Sequence, residues 1–165
     1  MQTNSTAPLP EQVIAAAKLR GVTIATAESC TAGMISAALT DVAGSSAVVD
    51  RGYVTYSNQA KIDMLGVTPD TLAAVGAVSE EVAVQMAEGA RTRAATTLAV
   101  AVTGIAGPGG SEHKPEGRVC FALAQDGVGT LAETIEFGAL GRAGVRAATR
   151  NHALSLILNR LMQAH

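Results

Sequence analysis

The chain has 165 residues, with 12 basic and 14 acidic side chains and a formal net charge of −2. That length suits one domain with a substantial core, and the charge balance lacks the basic excess that non-specific binding to nucleic acid requires. Two Tyr, two Phe and no Trp are present, too few for a base-stacking surface. We therefore expect no nucleic-acid partner and a core of small aliphatic side chains.

The other bulk features exclude several further classes of protein. The two Cys are too few for a disulfide framework, and together with the three scattered His they show no zinc-ligand spacing. No apolar run approaches the ~20 residues of a membrane-spanning helix, and the first ten residues lack the pattern of a secretion signal. A cytoplasmic protein that needs neither a metal nor a membrane is expected.

The first predicted elements follow from helix punctuation and from β-branched residues. Residues 1–9 are predicted to form a disordered polar tail ahead of a single domain over residues 10–165. A helix over residues 10–20 ends at a glycine, and a strand over residues 22–26 follows it. An Ala-rich helix over residues 34–39 comes next, so the segment between strand and helix is a turn.

This turn, residues 26–33, concentrates small hydroxyl and thiol side chains. Backbone N–H groups at the start of a helix bind anions in open α/β folds. Ser29, Cys30 and Thr31 are each able to attack a substrate or to contact a phosphate. Ser and Thr also commonly cap helices, and the local pattern leaves both interpretations open.

The middle of the chain predicts one strand and three helices. Residues 48–56 are predicted to form a long strand that is buried on both faces. Cap residues then begin each helix in turn. The helices are one over residues 58–65 after Ser57, a short helical turn at Thr68-Pro69, and an amphipathic helix from Ser79 to about residue 94.

The last third of the chain predicts three strands and a closing helix. Residues 97–103 are apolar on both faces and belong in the centre of a sheet, and a Gly-rich loop over residues 104–110 follows them. Strands over residues 117–124 and 130–137 form a hairpin, and a helix over residues 142–162 closes the chain. This order predicts an α/β fold, a three-layer α/β/α sandwich with a mixed, mostly parallel β-sheet.

The Gly-rich loop matches neither of the familiar phosphate motifs. It lacks the Gly-Lys-Ser/Thr ending of a P-loop, and its glycine spacing differs from that of a dinucleotide fingerprint. Glycine allows a ligand to approach the backbone closely, and exposed N–H groups can bind an anion. The composition fits a small-ligand loop as well as it fits a plain long turn.

Lys61 and Cys30 each have an ordinary and a chemical interpretation. A lysine is usually a solvated charge, but an amine desolvated beside a nucleophile can act as a general base, and a Ser–Lys pair is a known variant of the catalytic triad. A thiol at a helix N-terminus competes with Ser29 as the nucleophile. We prefer a small, buried Cys30, because no His lies nearby in the sequence to serve it.

Two arginines and a glutamate complete the candidate side chains. Arg142 and Arg146 lie one helical turn apart, so they share a face that suits phosphate or carboxylate. The same row continues to Arg150, which is typical of a solvated basic stripe. Glu28, next to Ser29, either orients a polar group of a substrate or pairs with a lysine.

Six short motifs follow one another along the chain. They are Ala27-Glu28-Ser29-Cys30-Thr31-Ala32-Gly33; Tyr56-Ser57-Asn58 with Lys61; Leu65-Gly66-Val67; Gly76-Ala77-Val78-Ser79; Thr103-Gly104-Ile105-Ala106-Gly107-Pro108-Gly109-Gly110; and Lys114-Pro115 with Gly117. Together, over about residues 13–161, they strongly resemble the CinA C-terminal domain family, which includes stand-alone nicotinamide-nucleotide amidases. Several motifs in order are far more specific than any one of them.

The resemblance implies hydrolysis of the carboxamide of nicotinamide mononucleotide to nicotinic acid mononucleotide and ammonia, in pyridine-nucleotide salvage. It implies a Ser–Lys amidase in which Ser29 matches the nucleophile, Lys61 the lysine, and Arg142 the arginine that assists catalysis or binding. A small-molecule nucleotide substrate, no cofactor and a homo-oligomer are expected. The large N-terminal domain of many CinA proteins is missing from this sequence, so we expect its activity to be missing too.

A second set of residues is expected to bind the substrate. N–H groups of residues 31–33 or of the loop over residues 104–110 are expected to hold the nucleotide phosphate, with an arginine beside it. The sequence departs from the usual family pattern at Ala32, Arg118 and Gly141, which affects substrate fit and the assignment of Arg142. The predicted substrate-binding residues are Glu28, Cys30, Thr31, Gly33, Tyr56, Thr103, Gly104, Gly107 and Arg146.

Two other functions remain open at this point. A non-catalytic nucleotide-binding module would use the same loops, with Lys61 only neutralising the phosphate of its ligand. A purely structural subunit would show neither binding nor turnover. Release of ammonia from nicotinamide mononucleotide distinguishes the amidase from both.

Overall fold

The computed structural model describes residues 6–111 and 113–163. Within these residues helices and strands alternate as far as the second strand, three helices and three strands follow in turn, and a last helix closes the chain; a short 3₁₀ turn lies at Ser45–Ala47. The helices are α1 (Leu9–Arg20), α2 (Met34–Thr40), α3 (Asn58–Leu65), α4 (Pro69–Val75), α5 (Glu80–Ala94) and α6 (Arg142–Met162). The strands are β1 (Ile24–Glu28), β2 (Val49–Val54), β3 (Leu98–Gly104), β4 (Arg118–Gln125) and β5 (Val128–Glu136).

The strands form one mixed sheet in the order β2-β1-β3-β4-β5. β1 pairs in parallel with both β2 and β3, whereas β4 runs antiparallel to both β3 and β5. All the strands of this sheet except β4 therefore point the same way, which confirms the predicted mixed, mostly parallel sheet. The predicted hairpin is also confirmed, with a tighter turn than expected, because Gln125 pairs with Val128.

Side chains on β3 show how the sheet divides the core into two layers. Leu98, Val100 and Val102 lie in the apolar core beneath α1, α2 and α6. Ala99 and Ala101 lie in a second core beneath α5, to which α3 also contributes. Alternate side chains of a strand point to opposite faces, so this one strand serves both layers. The three-layer α/β/α sandwich is confirmed.

Two strands differ from their predicted positions. β1 begins two residues later than predicted, since pairing with β3 starts at Ile24. Thr23, just before it, exchanges backbone-to-side-chain hydrogen bonds with Thr97. The strand predicted over residues 48–56 is shorter, and its prediction as buried on both faces is wrong. β2 lies at the edge of the sheet and most of its side chains are exposed.

Helix boundaries agree closely with the prediction. Ser57, Thr68 and Ser79 each cap a helix through the side-chain oxygen, as their positions indicated. α1 begins one residue earlier than predicted, at Leu9. Of the predicted disordered tail over residues 1–9, positions 1–5 lie outside the described residues. Among the described residues, no helix has the length and apolar character needed to cross a bilayer.

Candidate active site

Three loops meet at one edge of the sheet, because β1, β2 and β3 run parallel and end there. Ser29 follows β1, Tyr56 follows β2, and the Gly-rich loop follows β3. Together with the start of α6 they line a cleft of about 330 Å³. This is the edge at which open α/β sheets bind their ligands.

Ser29 and Lys61 meet in this cleft. The Nζ atom of Lys61 lies 2.9 Å from the Oγ atom of Ser29 and donates to it. The same amine donates to the carbonyl oxygens of Thr55 at 2.8 Å and Tyr56 at 3.3 Å. Lys61 is 1% exposed and Ser29 is 7% exposed. An amine shielded from water and held among three oxygen atoms is in position to exchange a proton with the serine hydroxyl.

The geometry of α3 explains why Lys61 reaches this point. Ser57 caps the helix by accepting a hydrogen bond from the N–H of Ala60 at 3.0 Å. Lys61 lies in the first turn, where its own N–H bonds to the Ser57 carbonyl. Side chains on a helix point back towards its N-terminus, so the amine reaches the backbone just before the helix and the serine beside it.

Glu28, which was predicted to contact the substrate, lies inside the turn and outside the cleft lining. Its side chain is fully buried. Oε1 accepts from the Ile35 N–H at 2.9 Å and from the Thr31 hydroxyl at 2.6 Å, and Oε2 accepts from the Ser36 N–H at 3.1 Å. α2 begins after Gly33 and has no side-chain cap at that position. The carboxyl group of the preceding strand therefore supplies acceptors for the first N–H groups of α2.

Arg146 contacts the backbone of the turn rather than the cleft. Its Nε atom donates to the Cys30 carbonyl at 3.0 Å, and Nη2 donates to the Thr31 carbonyl at 3.3 Å. Arg146 was predicted to contact the substrate, and the structure places it outside the cleft lining. The turn after Ser29 is thus held by a side chain from α6 as well as by Glu28.

Cys30 is a small buried residue, as preferred from the sequence. Its side chain is 5% exposed. Burial raises the pKa of the thiol to about 11; a backbone hydrogen bond opposes this rise, the nearby Glu28 adds to it, and the charges of Arg146 and Lys61 oppose it. The reactive thiolate is therefore scarce near neutral pH, whereas the Ser29 hydroxyl has the amine of Lys61 beside it, which favours Ser29 as the nucleophile.

Arg142 joins the two walls of the cleft at the start of α6. Its Nη1 atom donates to the Gly107 carbonyl at 2.8 Å, and Nη2 donates to the Tyr56 hydroxyl at 2.8 Å. Tyr56 is 59% exposed, so this contact lies on the open side of the cleft. Arg142 and Lys61 are the basic side chains of the lining, and no carboxylate lines the cleft within the described residues.

The segment between α4 and α5 forms a further wall of the cleft. Ala77 and Val78 line the cleft. The Thr103 hydroxyl donates to the Ala77 carbonyl at 2.9 Å, and the Nζ atom of Lys114 donates to the carbonyls of Val75 at 2.7 Å and Val78 at 2.5 Å. The motif at residues 76–79 includes Ala77 and Val78, but small apolar side chains carry no chemical signal of their own, so neither was predicted as a site residue.

The predicted site residues therefore fall into two groups. Those in the cleft lining are Ser29, Cys30, Tyr56, Lys61, Thr103, Gly104, Gly107 and Arg142. Those outside it are Glu28, Thr31, Gly33 and Arg146, which belong to or hold the turn. Asn58 also lines the cleft and was missed, although the motif at residues 56–58 includes it. Across residues 6–111 and 113–163, no cluster of His, Cys, Asp and Glu could hold a metal ion.

The fold and the site together define a class of protein. It is a three-layer α/β domain with a buried Ser–Lys pair at the carboxyl edge of its sheet. Residues 6–161 match the model of the CinA C-terminal domain, and the chain belongs to this family. A relative from Symbiobacterium thermophilum is 48% identical over 163 residues, 93% of this chain, and the match spans 38% of that relative's length. Nicotinamide-nucleotide amidohydrolase PncC of Escherichia coli is 58% identical over 117 residues, 70% of this chain and 71% of that protein.

Solved structures give the same relationship. The competence/damage inducible protein CihA from Agrobacterium tumefaciens superimposes with a TM-score of 0.89 at 50% identity, covering 94% of each chain. The competence damage-inducible protein A from Klebsiella pneumoniae superimposes with a TM-score of 0.91 at 37% identity, covering 95% of this chain and 97% of that one. The fold is therefore shared along nearly the whole length of both solved chains.

Proposed function

We propose that the chain hydrolyses the carboxamide of nicotinamide mononucleotide to nicotinic acid mononucleotide and ammonia, with Ser29 as the nucleophile and Lys61 as the general base. The observation that carries the proposal is the 2.9 Å contact between Lys61 Nζ and Ser29 Oγ in the cleft. The name of the Escherichia coli relative, a nicotinamide-nucleotide amidohydrolase, supports the choice of substrate.

The proposed reaction begins with a proton transfer from Ser29 to Lys61. In this step the Lys61 amine, acting in its neutral form, takes the proton as Oγ attacks the carboxamide carbon. Backbone N–H groups of the turn after Ser29 stabilise the oxyanion of the tetrahedral intermediate. The proton on Lys61 then passes to the amide nitrogen, and ammonia leaves. A water molecule that gives its proton to the same amine attacks the acyl-enzyme ester, which releases the acid and restores Ser29.

The charge of the cleft supports an anionic substrate. Its lining carries the guanidinium of Arg142, and no carboxylate lines it among the described residues. The planar guanidinium of Arg142 suits bidentate contact with a phosphate, and it exchanges its bonds to Tyr56 and Gly107 for that contact. Backbone N–H groups of the Gly-rich loop supply further donors to the same anion.

The proposal includes the setting of the reaction. Both cysteines are free, which suits a reducing compartment, and we place the enzyme in pyridine-nucleotide salvage in the cytoplasm. We also propose a homo-oligomer, because β2 is the last strand at one edge of the sheet within the described residues and open strand edges favour pairing with another chain. Light scattering of the purified chain tests the assembly, and a monomeric mass would contradict it.

The activity is tested by following ammonia release from nicotinamide mononucleotide and identifying the acid product by chromatography. Ser29→Ala and Lys61→Met are each expected to lower kcat by at least about 1,000-fold. Ser155→Ala and Lys18→Met make the same exchanges outside the cleft and are expected to keep the native rate. The proposal is wrong if the native chain releases no ammonia, or if both site variants keep its rate. Binding of the nucleotide without turnover, measured by calorimetry, would identify the non-catalytic module instead.

A further inference from the structure

We propose that Arg146 is a positioning residue for the nucleophile: its guanidinium holds two carbonyl groups of the turn and thereby keeps Ser29 within reach of Lys61. The inference rests on the proposed function. It assigns Arg146 a role in kcat, whereas the role predicted from the sequence was substrate binding.

The contacts of Arg146 fall on the two residues directly after the nucleophile. Nε donates to the Cys30 carbonyl at 3.0 Å and Nη2 donates to the Thr31 carbonyl at 3.3 Å. These carbonyls belong to consecutive peptide groups, so a planar guanidinium that bonds both restricts the rotation of both. Because Arg146 lies outside the cleft lining, it acts on the substrate only through this backbone.

The conformation of the turn explains why external support matters. Ala32 has a φ of 46° and Gly33 has a φ of 103°, so two consecutive residues adopt the left-handed region. For Ala32 this conformation costs energy, since its Cβ is crowded there. Strained backbone persists only where the surrounding structure holds it in place. Arg146 and the buried carboxyl group of Glu28 supply that support from outside and from within the segment.

Helix α6 is a firm base for this contact. Val145 and Thr149, on either side of Arg146, are fully buried, and the helix packs against β3 and β4. A group delivered from a packed helix is held more closely than one delivered from a loop. Arg150, one turn further along, donates to Asn151, and it serves as a matched control on the same helix.

Cys30 provides a measure of turn geometry that does not depend on catalysis. It lies in the turn itself and is buried, and Cys120 is equally buried but lies in β4. If the turn loosens, Cys30 becomes accessible to iodoacetamide while Cys120 stays protected. Peptide mass spectrometry measures both alkylation rates in the same native sample.

The experiment compares Arg146→Met, Arg146→Lys and Arg150→Met with the native chain. Arg146→Met is expected to lower kcat about 10- to 100-fold, since a displacement of about 1 Å in a reacting group costs up to about 100-fold. KM should change less than about 3-fold, because no contact with substrate is lost. Alkylation of Cys30 should rise at least about 10-fold, as expected for local opening, with Cys120 unchanged.

The other two variants show whether the contacts of Arg146 with the two carbonyl groups cause the changes in kcat and in Cys30 alkylation. Lysine keeps the charge but lacks the guanidinium fork, so Arg146→Lys should lie between Arg146→Met and the native chain in both kcat and Cys30 alkylation. Circular dichroism shows whether Arg146→Met is folded. If it is not, Arg146→Lys takes its place in the comparison with the native chain. Arg150→Met should match the native chain in every measurement.

Two results would overturn the inference. A raised KM with kcat unchanged would show that Arg146 binds substrate directly. Native kcat together with native Cys30 alkylation in Arg146→Met would show that the turn holds its position without it. If the native chain releases no ammonia, the proposed function fails, and the alkylation rates alone decide whether Arg146 positions the turn.

Discussion

Glu28→Gln is expected to destabilise the fold, although it replaces only one oxygen atom by an NH₂ group. In the native chain Oε1 accepts from the N–H of Ile35 and Oε2 accepts from the N–H of Ser36. A glutamine amide offers one oxygen and one NH₂ group. In either orientation, one of these two backbone donors therefore faces another donor. Hydroxyl groups around the site can rotate to adapt, but a backbone N–H cannot.

The size of the effect follows from those contacts. Leaving a buried N–H without an acceptor costs about 1–3 kcal/mol. The surviving bond also weakens, because hydrogen bonds to charged groups contribute about 1.5–3 kcal/mol and neutral ones roughly 0.5–1.5 kcal/mol. Together these losses lower the free energy of unfolding by about 2–4 kcal/mol. For a chain of this length, that corresponds to a fall in Tm of roughly 5–15 °C.

Urea denaturation followed by circular dichroism measures this difference. Glu81→Gln makes the same change at an exposed position of α5, and it should alter the free energy of unfolding by less than about 0.5 kcal/mol. A loss below about 1 kcal/mol for Glu28→Gln would show that the carboxyl group does not supply the acceptors for the start of α2.

Three further predictions concern buried contacts and thiols. A Cβ atom added at Gly89 would lie 1.9 Å from the Leu65 carbonyl oxygen. Gly89→Ala should therefore lower Tm, despite a gain in helix propensity of about 1 kcal/mol. A higher Tm would refute the close contact between α3 and α5. The pKa of Cys30 is raised from 9.0 to about 11, and that of Cys120 is raised as well. Thiols of the unfolded chain ionise at lower pH than those of the folded chain. The free energy of unfolding should therefore be unaffected by these thiols below about pH 9 and should fall between about pH 9 and 11. If Cys30→Ala shows the same alkaline fall as the native chain, this prediction is wrong. The hydroxyl of Thr55 is buried and has no hydrogen-bond partner in the described part of the chain. Thr55→Val should therefore raise the free energy of unfolding by up to about 1 kcal/mol. A loss of that size in urea denaturation would be inconsistent with an unsatisfied hydroxyl.

Signals that act over a few residues allowed much of the fold to be predicted from the sequence. Ser57, Thr68 and Ser79 each accept from an N–H three residues ahead, and a cap followed by a helix-forming run shows this in the sequence itself. The alternation of helices and strands at the front of the chain, with a hairpin at the back, was enough to predict the sandwich and the mixed sheet. The caps and the hairpin depend on interactions that are local in the chain.

Features set by distant partners could not be predicted in this way. Apolar residues over positions 48–56 suggested a buried strand, but the pattern does not state how many neighbours a strand has, and β2 lies at the edge. The carboxyl group of Glu28 reaches N–H groups seven and eight residues ahead, and Arg146 reaches a carbonyl 116 residues away. Their roles in holding the turn therefore became clear only from the fold.

The candidate site lies between these two cases. Ser29 and Lys61 are 32 residues apart in the chain, and their local surroundings suggested a helix cap and a solvated charge. Only the family resemblance predicted that they would act together. The structure brings the two side chains into contact, and their roles in catalysis remain our proposal.

A double-mutant cycle on Ser29 and Lys61 tests most directly whether the two side chains act as one catalytic unit. The kcat for ammonia release from nicotinamide mononucleotide is measured for the native chain, Ser29→Ala, Lys61→Met and the double variant, and circular dichroism checks that each is folded. If the pair acts as a unit, each single variant loses at least about 1,000-fold and the double variant loses no more than the worse of the two. Losses that multiply in the double variant, or a Ser29→Ala variant that keeps most of the native rate, would contradict a Ser–Lys mechanism.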